Sequence, residues 1–387
     1  MPDDENPLNL ENDEVYTRRL SRRALVKGGL GVAAMAAGSA FLPSLGRAAR
    51  YGSAMPDLVK PQVDGDLSFM IFAGGCPTSV IKGFEKEYKV KVKQTPLVSD
   101  QDYITKLSSG VSFDLVKSSP YYLPKDLAGG LFQPFNPHDL KHFDELKPVF
   151  RKPFWEHGSL HYGLLYDWGP DAIVYRTDKI DIKSHSWKEM FNHPEANGHI
   201  YLTAEQGDTI GMSLLAHGFP GSSSNPSQIK TASDALLKLK PGVAGITDNQ
   251  VPPLASGDAW LAAFWLGTVL FGLPQTKDPS TVRAFIPKEG ALIGGDTLSI
   301  PKIAKHPGTA LLFMDWCLRP DNSAAITEAL GTPTGTTAGA ATYTKMVKGH
   351  PYLNFPSSLG SNKANWKQPP TQSAAKLWNQ EWAQINS

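Results

Sequence analysis

Two acidic residues have the type and spacing either to bind a positively charged group or to catalyse hydrolysis. Glu205 and Asp208 lie three residues apart, after a predicted strand and where a helix is expected to begin. This spacing can place both carboxylates on one side of a turn, and a desolvated carboxylate pairs strongly with a cation. Asp208 could instead simply cap the helix expected from Thr209. A carboxylate pair could also cleave glycosidic bonds, but the chain has no Gly-x-Ser-x-Gly elbow, nucleotide loop or cysteine–histidine signature.

Two histidines four residues apart, His138 and His142, could share a helix face and bind a metal. The residues between them do not form the His-Glu-x-x-His pattern of metalloproteases, so a solvated helix face is favoured. The two cysteines, Cys76 and Cys317, are too few for a Cys₄ zinc site or a disulfide framework. We therefore predict neither a metal nor a cofactor, and leave open whether the cysteines pair.

Composition excludes several classes of protein. The chain has 387 residues, of which 41% are hydrophobic and 19% charged, so neither a disordered chain nor a coiled coil fits. Its length allows one large core or two ordinary ones. The formal net charge is +1 and the basic residues are spread along the chain, which argues against a nucleic-acid partner.

The N-terminus has the pattern of an export signal. Paired arginines, Arg22-Arg23, precede an Ala/Gly-rich apolar stretch over 28–45, and small residues follow. This order is typical of the twin-arginine pathway, so we assign residues 1–50 to a signal peptide read by that machinery. No cysteine ends the apolar stretch, which argues against a lipoprotein. Residues 51–387 contain 31 basic and 31 acidic residues, so the mature chain is expected to be neutral.

Strands and helices alternate along the rest of the chain, which predicts α/β layers. The pattern predicts strands over 67–72, 90–95, 113–117 and 198–203, and helices over 77–88, 100–109, 209–217, 226–239, 310–318 and 321–330. The most apolar run, 259–273, is expected to be a strand reaching Trp265 and then a helix. Residues 167–170 resemble a boundary. Ligands in open α/β folds sit beyond the carboxyl ends of strands, so a binding cleft is expected.

Several strings occur in an order that resembles a known family. They are Leu67–Phe84, Phe113–Val116 with Ser119–Tyr122, Trp168–Ile173, Tyr201–Glu205, Pro287–Gly290, Asp296–Pro301 and Leu318–Asp321. Together they resemble the spermidine/putrescine-binding proteins of ABC importers, a branch of the type II periplasmic solute-binding proteins. The resemblance implies an α/β fold of two lobes joined by crossing hinge segments, with no catalysis. Lobe 1 would comprise 66–169 and 296–343, and lobe 2 would comprise 170–295 and 344–387. It further implies a periplasmic protein, expected to be a monomer, that delivers a small amine to a membrane permease.

The resemblance also assigns roles to individual residues. Glu205 and Asp208 match the acidic pair that holds ammonium groups, and Asp296 matches a further cation-binding aspartate, although it could be a turn residue after two glycines. Phe72, Tyr121 and Trp265 match aromatic wall positions, and Ser119 matches a ligand contact. Aromatic faces attract ammonium groups, but each of these rings could equally belong to the core.

Four positions depart from the family pattern. Gly75, Gly294 and Thr332 replace aromatic walls, and Gly74 replaces an acidic residue. A long polyamine would therefore lose much of its stacking. We predict a cationic or zwitterionic amine that is bulkier or shorter than spermidine, and expect the glycines to let backbone N–H groups approach an anionic part of the ligand.

Paired tyrosines bind ferric ion in related proteins, and Tyr121-Tyr122 invites the same interpretation. Neighbouring residues on a strand point to opposite faces, however, and the family places its iron tyrosines in another segment. Ferric-ion binding and an exported hydrolase therefore remain the alternatives to amine binding.

Overall fold

The computed structural model describes residues 58–156 and 159–387. The predicted signal peptide, residues 1–50, lies outside them. The described strands are β1 (Leu67–Phe72), β2 (Val92–Leu97), β3 (Leu115–Ser118), β4 (Leu164–Arg176), β5 (Ile200–Leu202), β6 (Val243–Ile246), β7 (Leu261–Trp265), β8 (Val282–Phe285) and β9 (Ile293–Ser299). The α-helices are α1 (Thr78–Tyr88), α2 (Asp100–Ser108), α3 (Leu123–Ala128), α4 (Pro148–Arg151), α5 (Gln206–Ala216), α6 (Pro226–Leu239), α7 (Val251–Ser256), α8 (Leu266–Gly272), α9 (Pro307–Leu318), α10 (Pro320–Leu330), α11 (Thr337–Met346) and α12 (Gln372–Ile385).

The strands join a mixed sheet in the order β2-β1-β3-β9-β4-β7-β5-β6, with β8 pairing β4. One parallel group contains β1, β2 and β3, and a second contains β5, β6 and β7. Between them run β4 and β9, which are antiparallel to each other. The thirteen residues of β4 pair β9 with their first part and β7 and β8 with their last. These two long strands therefore connect the two parallel groups.

The strongly patterned segments form as predicted. Both β1 and α6 have the expected bounds, and the apolar run changes from β7 to α8 directly after Trp265. Helix α6 begins where Asn225 caps it, accepting a hydrogen bond from the Ser227 N–H, with Pro226 in the first turn. The break between α9 and α10 falls at Arg319-Pro320, because proline cannot continue the hydrogen bonds of the preceding helix.

Strand β4 runs through the predicted boundary at 167–170, where Pro170 pairs with Ile293 of β9, and a division of the lobes there stays a prediction. Two expectations about the bounds of elements are wrong. Strand β2 lies two residues later than predicted. Helix α5 begins at Gln206, which makes Glu205 its N-cap residue and places Asp208 in its first turn. Asp208 is therefore not the helix cap.

Buried apolar side chains form two clusters. One includes Phe69, Leu115 and Phe313. The other includes Trp187 and Trp378, and the indole N–H of Trp378 donates to the Ser223 carbonyl at 3.0 Å. The C-terminal helix α12 is thereby packed into the second cluster, while the predicted lobe boundaries stay a prediction. No helix in the described part of the chain combines the length and hydrophobicity needed to cross a membrane.

Candidate functional site

The candidate site lies where the parallel strands end. Phe72 is the last residue of β1, Asp100 begins α2 after β2, and Tyr121 follows β3. In the second parallel group, Glu205 follows β5 and Trp265 ends β7. The carboxyl ends of strands are the usual ligand position in open α/β folds. The two groups meet here, because a methyl group at Gly207 in α5 would lie 3.4 Å from the Tyr121 ring.

A buried lysine on β3 holds the two crossing strands. Asp167 of β4 and Asp296 of β9 are direct partners across the sheet, and like charges in that position repel. Lys117 Nζ lies 3.1 Å from Asp167 Oδ2 and 2.6 Å from Asp296 Oδ2. Burial alone would lower the pKa of Lys117, but the carboxylates of Asp167 and Asp296 outweigh it and keep the pKa above its usual value. The lysine is therefore charged, and it also lies 5.5 Å from the centre of the Phe72 ring.

A second, largely buried lysine reaches the site from the C-terminal segment. Lys367 Nζ forms an ion pair with Asp208 Oδ1, and the indole N–H of Trp265 donates to Asp208 Oδ2 at 2.8 Å. Burial would lower the pKa of Lys367, but Asp208, Asp171 and Glu205 raise it above the usual value. Asp171 of β4 is also buried, and burial together with Asp208 raises its pKa far above the usual range. Asp208 is thus fully engaged by protein partners.

Glu205 differs from the other two predicted acids, because it has no ion-pair partner within 4.0 Å among the described residues. Burial, followed by the carboxylate of Asp208, raises its pKa to about 7. Asp100 is influenced by the same charges: burial, followed by the carboxylates of Asp296 and Glu205, raises its pKa far above the usual range. Its Oδ1 is buried with no hydrogen-bond partner in the described part of the chain. These two carboxyl groups are the open acceptors of the site.

Two tyrosines stand beside Glu205. Tyr121 and Tyr122 lie in the turn between β3 and α3, with ring centres 4.9 Å apart and an interplanar angle of 81°. The prediction that they lie on a strand and face opposite ways is wrong. After burial, the charge of Glu205 is the largest influence on each hydroxyl, and it raises the pKa of both. Ser119 Oγ accepts a hydrogen bond from the Tyr121 N–H at 3.2 Å, so it shapes this turn.

The glycine departures have a structural explanation that differs from the expected one. A methyl group at Gly294 would lie 2.9 Å from Lys367 Nζ, so the glycine makes room for that lysine. The Gly75 N–H already donates to the Phe72 carbonyl at 2.8 Å. Thr332 packs on α8, where a methyl group at Gly267 would lie only 2.1 Å from its Cγ2. The Gly75 N–H is therefore not free to bind an anionic ligand, and the expectation for the Gly294 N–H stays a prediction.

Three functional candidates were missed in the sequence. Lys117 gave one usable signal, because it ends the short predicted strand 113–117, and the residues of a buried strand are themselves buried. Asp100 starts a helix directly after a strand, which is a position where ligands bind in α/β folds. Lys367 gave none, because only the fold brings residue 367 beside residue 208.

The other candidate clusters do not form a site. His138 lies in the 3₁₀ turn Pro137–Asp139 and His142 precedes another turn, so the expected shared helix face is absent. His142 Nδ1 pairs with Asp315 Oδ2 at 2.9 Å. Within 58–156 and 159–387, no group of three or more His, Cys, Asp or Glu side chains is arranged to hold a metal ion. Cys76 and Cys317 are buried and unpaired.

Comparisons with known proteins agree on one family. The model of the family described as bacterial extracellular solute-binding protein matches residues 79–353. The chain is 32% identical over 263 residues to a spermidine/putrescine-binding periplasmic protein of Escherichia coli K12. This match covers 67% of this chain and 74% of that protein. A putrescine-binding periplasmic protein from the same organism is 29% identical over 266 residues, 64% of this chain and 72% of that protein.

A solved structure matches the fold. It is a spermidine/putrescine ABC transporter substrate-binding protein from Streptococcus pneumoniae, which superposes with a TM-score of 0.70 at 19% identity. The match covers 83% of this chain and 97% of that one. Lys117 lies within the residues that the family model matches, whereas Lys367 lies beyond them.

Proposed function

Because this chain belongs to the bacterial extracellular solute-binding proteins and has the two-lobe α/β fold of the type II periplasmic binding proteins, we propose that it binds a small amine and delivers it to an ABC importer. The family comprises solute-binding proteins and not enzymes. Its relatives are named for the binding of spermidine and putrescine, which supports an amine as the ligand.

The observation that carries this proposal is the open acidic position at Glu205. The carboxyl group lacks an ion-pair partner among the described residues, and Gly207, two residues further along, lies against the Tyr121 ring. The charge of Glu205 raises the pKa of both Tyr121 and Tyr122. A ligand ammonium group there would gain a charge-assisted hydrogen bond and contact with aromatic faces. Asp100 provides a second acceptor whose Oδ1 is unsatisfied within the described residues.

The mechanism we propose is closure of the cleft. Lobe 1, residues 66–169 and 296–343, supplies Asp100, Tyr121 and Asp296, and lobe 2, residues 170–295 and 344–387, supplies Glu205 and Trp265. A ligand that touches both lobes binds the closed state more tightly than the open one and so shifts the population towards it. The closed form would then dock on the permease.

Isothermal titration calorimetry with mono-, di- and polyamines, amino acids, betaines and a neutral sugar tests this proposal. We expect at least one amine to bind with micromolar or lower Kd, and the sugar not to bind. Tight binding of the sugar with no binding of any amine would contradict the proposal. Turnover of a bound amine would favour the hydrolase alternative, and a coloured protein as purified would favour ferric-ion binding.

Export through the twin-arginine pathway is proposed from residues 1–50. Replacing both Arg22 and Arg23 by lysine is expected to stop export, because this pathway reads the arginine pair, whereas the general secretory pathway reads only charge and hydrophobicity. The measurement is fractionation of cells that make the full chain. The neighbouring pair Arg18-Arg19 provides a matched control that should be exported normally after the same substitution. Undiminished export of the Arg22/Arg23 variant would rule out this route.

Amine affinity should depend on pH through Glu205. Its pKa is raised to about 7, first by burial and then by Asp208, with further contributions from Asp248 and Asp296 and an opposing one from Lys367. The carboxyl group is therefore neutral below pH 7 and ionised above it, while the amine stays protonated. We expect affinity to fall about tenfold between pH 8 and pH 6, as the ionised fraction falls. Calorimetry of the wild type against Glu205→Gln measures this, and a flat wild-type profile would contradict it.

A further inference from the structure

Two of the three predicted ligand-binding acids already carry an ammonium group of the protein. Lys117 Nζ lies 2.6 Å from Asp296 Oδ2, and Lys367 Nζ pairs with Asp208 Oδ1. The two lysine side chains are only 6% and 14% exposed, so these pairs lie inside the site and not at its rim. Glu205 alone of the three acids lacks such a counter-ion among the described residues.

The fold fixes both lysines in place. Lys117 projects from β3, which is hydrogen-bonded between β1 and β9. The backbone N–H of Lys367 donates to the Ile293 carbonyl of β9 at 3.0 Å. The preceding Trp366 is buried in the first core cluster and also holds the segment in place. Gly294 leaves the space that the Lys367 ammonium group fills. Neither lysine is a freely moving surface side chain.

We infer that Lys117 and Lys367 are specificity-determining residues, whose ammonium groups occupy Asp296 and Asp208 and so restrict the cleft to amines with one positive group. This inference rests on the proposed amine-binding function. A ligand with one ammonium group would pair with Glu205 beside Asp100, Tyr121 and Tyr122. The second ammonium group of a diamine would find Asp208 and Asp296 taken by lysines and would be repelled by a resident lysine of the same charge. Asp100 offers no counter-charge in their place, because its pKa lies far above the usual range and its carboxyl group is neutral.

The test uses two ligands of the same chain length, putrescine with two ammonium groups and N-acetylputrescine with one. For the wild type, we expect calorimetry to give a Kd at least tenfold lower for N-acetylputrescine. In Lys367→Met the freed Asp208 should accept the second ammonium group, so the ratio of the two Kd values should shift at least tenfold towards putrescine. Lys363→Met is the matched control, because Lys363 is an exposed lysine of the same segment and should leave the ratio unchanged.

If Lys367→Met does not fold, the same titrations are made with Lys367→Gln and Lys117→Met. Thermal unfolding checks that each variant is folded. Tighter binding of putrescine by the wild type, with an unchanged ratio in the lysine variants, would overturn this inference and leave amine binding intact. If neither putrescine nor N-acetylputrescine binds the wild type, the test rests on the number of positive charges of the amine that the calorimetric screen identifies. A ligand with one positive charge supports the inference, and a ligand with several contradicts it. If no amine binds, the proposed function itself is contradicted.

Discussion

Glu205→Gln is expected to weaken amine binding by about 2–5 kcal/mol, which is roughly a 30- to 5,000-fold increase in Kd. The amide keeps the size and hydrogen-bonding capacity of the side chain but removes its charge. Because Asp208 and Asp296 are paired with lysines, they cannot fully replace it. The measurement is isothermal titration calorimetry at pH 8, where the wild-type carboxyl group is ionised.

Glu328→Gln provides the matched control, since Glu328 is exposed on α10 and should leave affinity unchanged. Unaltered affinity in Glu205→Gln would remove Glu205 from the site. Asp208→Asn would be a poorer test of ligand contact, because it also leaves the largely buried Lys367 without its partner and so changes the protein before any ligand is added.

The stability of the same variant separates a binding role from a structural one. Burial raises the pKa of Glu205 to about 7, above its value in the unfolded chain. The ligand-free protein therefore loses stability as pH rises from the unfolded-state pKa to about 7, and the whole loss is present at pH 8. Glu205→Gln removes that charge. We therefore expect its unfolding free energy at pH 8 to equal or exceed that of the wild type, whereas a structural glutamate would give a loss.

The sequence was sufficient for the elements that depend on local pattern. The buried strand β1, the capped helix α6 and the change from β7 to α8 all follow from hydrophobic period and proline position. The sequence did not reveal β4 as one strand, because Gly169 and Pro170 usually interrupt structure, yet here the strand continues through them between β9 and β7. Long-range pairing overrides a local preference at such a position.

The site was only partly predictable for a related reason. The positions of Phe72, Tyr121, Glu205 and Trp265 follow from their places after or at the ends of strands, which local pattern reveals. The pairing of Lys367 with Asp208 joins residues far apart in the sequence, and no local pattern indicates it. The consequence is chemical as well as structural, since a set of three free acids becomes one open acid and two internal ion pairs.

Lys117→Met is expected to lower the unfolding free energy at pH 8 by about 3–5 kcal/mol, because removing one partner of a buried ion pair leaves an uncompensated charge. Here two carboxylates, Asp167 and Asp296, would face each other across β4 and β9 with no cation between them. Chemical denaturation measures the loss. Lys93→Met on the neighbouring strand β2 is the control, since Lys93 is exposed and should change stability little.

The triple variant Lys117→Met/Asp167→Asn/Asp296→Asn distinguishes lost charge balance from lost packing. It removes the buried charges together and keeps the side-chain volumes similar, so no uncompensated charge is left inside the protein. We therefore expect most of the lost stability to return in the triple variant. A single variant as stable as the wild type would mean that Lys117 does not hold the crossing strands. A triple variant as unstable as the single one would assign the loss to the packing of the lysine side chain against Phe72 and Tyr166, whose ring centres lie 5.5 Å from Nζ.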